Sequence, residues 1–283
     1  MTDTEWMKPG PDEDWPPPVD LKTDRPHPAR VYDYLLGGKD NFAADRAAAE
    51  QSLEANPTGR VPCQENRAFM RRAVRYLATE AGISQFLDIG TGLPTSPNVH
   101  EVAQAIIPDA RIVYADNDPI VLAHARALLA SGPQGKTAYV DADLRDTDGI
   151  LSSAEVRETL DFSQPVGLLL IAIMHFIPDE DGPYDIARRL LDALPSGSYL
   201  ALTHLTGDFN PHAWDGVAKV YSSYGMVMKV RSHPEVERFF TGLDLVEPGV
   251  QSLPRWRPSR GDDPVALPDD ATVSCYGGLA RKP

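Results

Sequence analysis

Cysteine is scarce in this 283-residue chain. Its two cysteines, Cys63 and Cys275, lie far apart, with no Cys or His companion at metal-ligand spacing. That argues against a disulfide scaffold or a zinc module; the expectation is free thiols in a reducing, cytoplasmic setting, and no metal. Long apolar runs are missing as well. Nowhere do about 18 apolar residues follow one another, so no ordinary membrane-spanning helix is expected. The first residues are acidic and polar, where a secretory signal would need a basic start and an apolar stretch. Positive charge is in deficit: 27 Lys and Arg stand against 41 Asp and Glu, for a net charge of −14. With no long basic run, that balance speaks against a nucleic-acid partner gripped through its phosphates. Arg67, Arg71, Arg72 and Arg75 read as one solvated helix face.

What is present begins with Phe86-Leu87-Asp88-Ile89-Gly90-Thr91-Gly92, an apolar run that ends in an acid and two glycines. A second run, Ile112-Val113-Tyr114-Ala115, ends in Asp116, and a third leads into Asp141-Ala142-Asp143-Leu144. Doubly wound α/β sheets read this way where parallel strands hand a nucleoside-bearing ligand to their C-terminal loops. Glycine lets the chain turn sharply and bring backbone N–H groups against the ligand. The acid ending the second run suits the two hydroxyls of a ribose.

Two ligand classes use this architecture. A nicotinamide dinucleotide calls for a third glycine three residues after Gly92, so that a helix can approach beneath the pyrophosphate. Thr95 stands there, between Pro94 and Pro97. Asp88 also sits badly beside a pyrophosphate and well beside a cation. S-adenosylmethionine carries an ammonium and a sulfonium and no phosphate, which favours it as the cofactor. A nicotinamide-dependent oxidoreductase and a non-catalytic module that binds S-adenosylmethionine are the alternatives.

The chain divides into three parts. Residues 1–25, acidic and Pro-rich, offer too little apolar surface to fold and read as a disordered tail. Residues 26–82 read as helical: Ala29–Leu36 stopped by Gly37-Gly38, Ala43–Leu53 capped by Asp40 or Asn41, and Gln64–Ala81. Residues 83–283 alternate strands and helices. Strands are expected at 85–89, 111–115, 136–141, 166–173 and 199–204, with helices near 98–106, 120–130, 150–160 and 184–194. An insert at about 207–240 breaks the alternation with two helices, near 213–224 and 234–240, before two closing strands near 243–250 and 273–280.

The acid-Gly-Thr-Gly strand end, Asp116 and the Ala142-Asp143-Leu144 loop resemble a class I S-adenosylmethionine-dependent methyltransferase. That resemblance implies a Rossmann-like, mostly parallel seven-stranded sheet with a terminal antiparallel pair. The likeness narrows at the N-terminus. Ala29-Arg30-Val31-Tyr32-Asp33-Tyr34-Leu35-Leu36-Gly37-Gly38-Lys39-Asp40-Asn41-Phe42, then Glu65-Asn66-Arg67-Ala68-Phe69, are similar to a bacterial methyltransferase family of largely undefined substrate. Its Ala-Asp-Asn-Asp-Pro and Leu-Pro-Arg-Trp-Arg-Pro signatures recur at 115–119 and 253–258. Pro94 departs from the general class, where a third glycine is common.

These readings imply a set of cofactor contacts: Asp88, Gly90, Thr91 and Gly92 at the first strand end, Asp116 and Asn117 at the second, and Ala142, Asp143 and Leu144 at the third. In the resemblance, Asp143 takes the adenine amino group, with Asp141 as its competitor. Asp118 competes with Asp116 as a plain helix N-cap. Tyr32, Gly38 and Asn41 are the expected contacts from a helical lid, with helix-hairpin packing as the plainer reading. His175, after the fourth strand, is the candidate general base, against a structural histidine; His204 ranks below it. Trp214, Tyr221 and Tyr224 line either an acceptor pocket or the core. A small-molecule acceptor fits the acidic chain better than DNA or RNA.

Overall fold

The computed structural model describes residues 21–128, 134–258 and 267–283. Residues 1–20 of the expected tail, the last two positions of the 120–130 helix, and 259–266 of the late loop lie outside them.

Three helices come first: α1 (Pro28–Leu35), α2 (Ala43–Ala55) and α3 (Arg60–Thr79). Gly37, at φ 84°, follows the end of α1 in the left-handed conformation that glycine takes without strain. Neither Asp40 nor Asn41 caps α2. Phe42 is its N-cap residue, and the Asp45 carboxylate reaches back to accept the Phe42 N–H at 2.8 Å. Asp40 and Asn41 instead donate to Asp33, which draws them away from the helix end. Helix α3 buries Phe69, Ala73, Val74 and Leu77 on one face and takes Pro62 in its first turn, where no backbone N–H is needed.

The alternation that follows comprises β1 (Gln85–Ile89), α4 (Val99–Gln104), β2 (Arg111–Asp116), α5 (Pro119–Leu128) and β3 (Lys136–Asp141). Next come α6 (Thr147–Ser152), α7 (Ala154–Thr159), β4 (Gly167–Leu170), α8 (Pro183–Asp192) and β5 (Tyr199–Leu205). The single helix expected at 150–160 is two, because Ser153 interrupts it and its Oγ accepts the Val156 N–H. Strand β4 is half its expected length. Ala172 adopts φ 56° and gives its N–H to Thr203 Oγ1, so residues 171–173 leave the sheet.

The insert folds as α9 (Pro211–Ser223) and α10 (His233–Glu237), followed by β6 (Asp244–Leu245), β7 (Gln251–Ser252), α11 (Asp270–Val273) and β8 (Cys275–Arg281). Strand order is β3-β2-β1-β4-β5-β8-β6, with β7 also on β8. The first five strands run parallel; β8 runs antiparallel to β5, from Tyr199 opposite Arg281 to Leu205 opposite Cys275. Of the expected strand at 243–250 only β6 pairs with β8, and β7 pairs farther along the same edge just beyond that range, which keeps the seven-position plan.

Period-two alternation builds both cores. Phe86, Ile112 and Leu169 face α3 and its Phe69 and Leu77, whereas Leu87, Val113 and Leu168 face Ile150, Ile186 and Leu190. The segment 253–258 buckles α3 to the β8 edge. Trp256 is fully buried, edge-on to Phe69 at 5.0 Å, and Arg72 donates to the Leu253 and Trp256 carbonyls. Strand order reverses between β1 and β4, so a crevice opens at their C-terminal ends.

Candidate active site

A cavity of about 380 Å³ fills that crevice, within the range that small ligands occupy. Its floor is the turn after β1. Gly90, at φ 75°, gives its N–H to the Ala115 carbonyl at 2.8 Å, and a Cβ there would lie 2.6 Å from Ile173 Cγ1. Only glycine fits. Thr91 Oγ1 donates to the Asp88 carbonyl and closes the turn.

Asp88 is the next-to-last residue of β1, a strand buried throughout, and it lines the cavity. Burial pushes its carboxyl up to about 7, against the pull of the Arg67 guanidinium and with a smaller push from Asp116. Among the described residues its carboxylate has no hydrogen-bond partner, which leaves it free for a cation. Arg67 is a cavity residue and not part of a solvated face. Its guanidinium donates to the carbonyls of Thr95 and Pro97, so it braces the Pro-rich turn after Gly92.

Asp116 accepts the N–H of Gly92 at 2.8 Å and of Asp118 at 3.0 Å. Burial raises its pKa against those two bonds. Four lone-pair positions on a carboxylate leave room for two more donors. Asp118 does cap α5, accepting the Ile120 N–H, but it has a second task that sequence reading missed. Its other oxygen lies 3.0 Å from both His27 Nδ1 and Arg30 Nε, fastening the start of α1 beside Asp116. Burial works against its charge, yet the His27 hydrogen bond, with Arg30 and the Ile120 N–H, holds the carboxyl below the usual range.

At the third strand end Asp143, Ala142 and Leu144 line the cavity, whereas Asp141 is exposed and does not. Asp143 is braced by Asn117 Nδ2 at 3.1 Å and by the backbone and guanidinium of Arg145. Asn117 lines the same wall.

From the helical segment, His27, Pro28, Ala29 and Tyr32 reach the cavity. Gly38 and Asn41 do not. A Cβ on Gly38 would strike the Asp33 carboxylate, and Asn41 Nδ2 donates to that same group, so both close the α1–α2 turn.

His175 lies outside the main cavity as well. In its short turn it is Phe176 that reaches that wall, while His175 lines a second cavity of about 60 Å³ beneath α1, α2 and α9. The two chambers share Pro28, Tyr32, Asn66, Ala172 and Phe176. The His175 ring is 4% exposed, and burial, then His204 and Arg231, push its pKa well below the ordinary imidazole value. It is therefore neutral at ordinary pH. His204 is structural: Nδ1 faces the Leu205 carbonyl at 2.7 Å and Nε2 faces Arg231 at 2.8 Å. Trp214 and Tyr221 line the second chamber; Tyr224 instead accepts from Gln51.

Arg231, which sequence reading did not single out, is fully buried and donates to the Met174 and Ile177 carbonyls and to Asp179. It thereby pins the turn that carries His175 and Phe176. A lone arginine in an unpatterned insert gives no signal in sequence. Asn66 stands in a recognisable motif without a role attached, and Arg67 in the same motif reads in sequence as part of a solvated face.

The chain is similar to a DUF574 family protein from Streptomyces avermitilis, 49% identical with a TM-score of 0.90, over 93% of this chain and 100% of that one. It is also similar to a crystallised protein from Thermobifida fusca described as a methyltransferase, 43% identical with a TM-score of 0.85, over 95% and 99%. No curated protein sequence matches it. The sequence profile of the family described as S-adenosyl methyltransferase matches residues 15–283. With that match over nearly its whole length, the chain belongs to the S-adenosyl methyltransferase family, and it is an enzyme that uses S-adenosylmethionine.

Proposed function

We propose that the larger cavity holds S-adenosylmethionine and that the enzyme methylates a small-molecule acceptor. The observation that carries this placement is the buried, unpartnered Asp88 carboxylate, two residues before a turn that admits only glycine. A carboxylate held up near neutrality by burial is a seat for a positive charge, since a bound cation replaces the lost water. Asp88 takes the cationic end of the cofactor, Gly90, Thr91 and Gly92 pass it in close approach, and Asp116 takes the ribose. Asn117, Ala142, Asp143 and Leu144 flank the adenine.

When bound, the cofactor supplies an electrophilic methyl group. The chain's own residues hold it, orient the acceptor and keep water out, which is where much of the rate of such a displacement comes from. Helices α1 and α2 act as the lid, fastened by Asp118 to the ribose loop and sealing the cavity with His27, Pro28, Ala29 and Tyr32. His175 acts in its neutral form, as a hydrogen-bond acceptor for the incoming nucleophile. Two unpaired thiols favour a cytoplasmic setting.

Calorimetric titration with S-adenosylhomocysteine and with NADH tests the placement. We expect the first to bind the wild type, to lose affinity in Asp88→Asn, and NADH not to bind. Full affinity of Asp88→Asn for S-adenosylhomocysteine would overturn it.

A further inference from the structure

The smaller chamber carries information about the acceptor. None of its lining side chains is Asp, Glu, Lys or Arg. Its ready polar groups are already engaged: the Tyr32 hydroxyl donates to the Cys63 carbonyl and accepts from Asn66, and Asn66 Oδ1 accepts from Thr203. Ser52 Oγ donates to the Ala48 carbonyl. Three lining rings are left over, that of Tyr221 with a hydroxyl that no described residue bonds. Trp214 Nε1 and His175 Nδ1 are buried without any hydrogen-bond partner.

An indole nitrogen can only donate, and a neutral imidazole offers one nitrogen that accepts. A hydroxyl both donates and accepts, so it can pair with whichever of these groups it meets. A carboxylate would only accept and an ammonium would only donate, and either would bring a bare charge into a chamber with no counter-ion. Size narrows the choice further. An apolar cavity of about 150 Å³ encloses benzene, and this one is about 60 Å³. A slim end enters; a ring does not.

We propose that this chamber receives the reactive end of the methyl acceptor, and that the acceptor is an uncharged molecule presenting a hydroxyl on a slim apolar end. The proposal rests on the placement of the cofactor in the adjoining cavity, where the five shared wall residues mark the meeting point. The hydroxyl oxygen forms the new bond to the methyl carbon. The carbon–sulfur bond breaks with its electron pair left on sulfur, and the hydroxyl proton passes by way of His175 to water. The products are a methyl ether, a neutral thioether and a proton.

Saturation-transfer NMR on the protein loaded with S-adenosylhomocysteine tests this with three probes on one carbon frame: 2-methylpropan-1-ol, 2-methylpropanoate and 2-methylpropylammonium. The alcohol should bind, and each ion should bind at least about tenfold more weakly. Val217→Trp, which fills the chamber, should abolish alcohol binding and leave S-adenosylhomocysteine affinity unchanged. Trp214→Phe, which removes only the donor and keeps the packing, should weaken the alcohol severalfold. An ion that binds as well as the alcohol, no alcohol binding at all, or alcohol binding untouched by Val217→Trp would overturn the proposal. If Val217→Trp does not fold, unchanged alcohol affinity in Trp214→Phe overturns it. Failure of S-adenosylhomocysteine itself to bind overturns the cofactor placement, a separate result read before any alcohol is added.

Discussion

The Asp116 carboxylate accepts the Gly92 N–H at 2.8 Å, which ties the acid ending the second strand to the glycine turn of the first. Its other oxygen accepts the Asp118 N–H. One side chain thus sets the spacing of the two loops that the proposed cofactor placement engages together. Asp116→Ala should weaken S-adenosylmethionine binding by about 1.5–3 kcal/mol, the scale of losing charge-assisted hydrogen bonds. Isothermal calorimetry showing affinity within a few tenths of a kcal/mol of wild type would remove Asp116 from the site.

Asp118→Ala should act chiefly on stability. A lone N-cap is worth about 0.5–2 kcal/mol, but Asp118 is also paired with the buried Arg30, whose side chain is 2% exposed. Arg30 keeps the buried Asp45 carboxylate at 3.6 Å as a second partner, so the total loss should be about 1–3 kcal/mol. The pH dependence follows from the depressed carboxyl. Because the folded value lies below the unfolded one, the contribution is complete above the ordinary carboxylate range and is lost as pH falls through the depressed value. Urea denaturation of both proteins should show the gap at neutral pH and its closure in acid. A gap that persists unchanged in acid would contradict the assignment.

Asp88→Asn should separate binding from folding. With its carboxyl raised to about 7, the wild type pays for ionising Asp88 as pH climbs from the ordinary carboxylate range through neutrality. The unliganded variant should therefore be the more stable of the two at about pH 8, by roughly 1–4 kcal/mol. Wild-type affinity for S-adenosylmethionine should rise over the same interval, as the carboxylate forms, while the variant binds weakly with a flat profile. Thermal melts and titrations across pH give both curves. Parallel profiles for the two proteins would refute the role.

Gly90→Ala and Gly92→Ala should differ, although both positions have positive φ. A Cβ at Gly90 strikes Ile173, whereas at Gly92 it meets open space. Strain alone costs about 1–3 kcal/mol at either position. The clash at Gly90 should add to that and push Ile173 into the cavity, abolishing cofactor binding. At Gly92 the loss should be confined to the backbone term. Equal melting temperatures and equal affinities for the two variants would show that Ile173 gives way freely.

The strands were legible because burial on both faces writes an apolar run that ends in an acid, as in Phe86–Asp88 and Ile112–Asp116. Asp143 over Asp141 was legible only through the resemblance, because alternation puts residues two apart on one face; β3 ends at Asp141, and it is the loop beyond it that brings Asp143 to the cavity. The end of β4 was not. Residues 171–173 are as apolar as a strand, and what removes them is a backbone twist at Ala172 secured by Thr203, a residue from another strand. Arg67 was misread for a related reason: a basic helix face gives no sign that one member bends inward to carbonyls in a distant turn. That Phe176 borders both chambers and its neighbour His175 only the smaller one depends on a three-residue helical turn that no periodicity announces. The Asp118 fastening to α1 spans 88 residues of sequence and is invisible to local pattern.

Both cysteines border the smaller chamber, and both are buried. Burial pushes the Cys63 thiol up to about 12 and the Cys275 thiol higher still. Thiol alkylation needs the thiolate and a path to it, so a maleimide meets neither while the helices stay shut. If the helices act as the proposed lid, the rate at which these two sulfurs react becomes a clock for how often it lifts. An occupant that holds the lid down slows the clock, which lets a chemical label screen for acceptors without any turnover being measured.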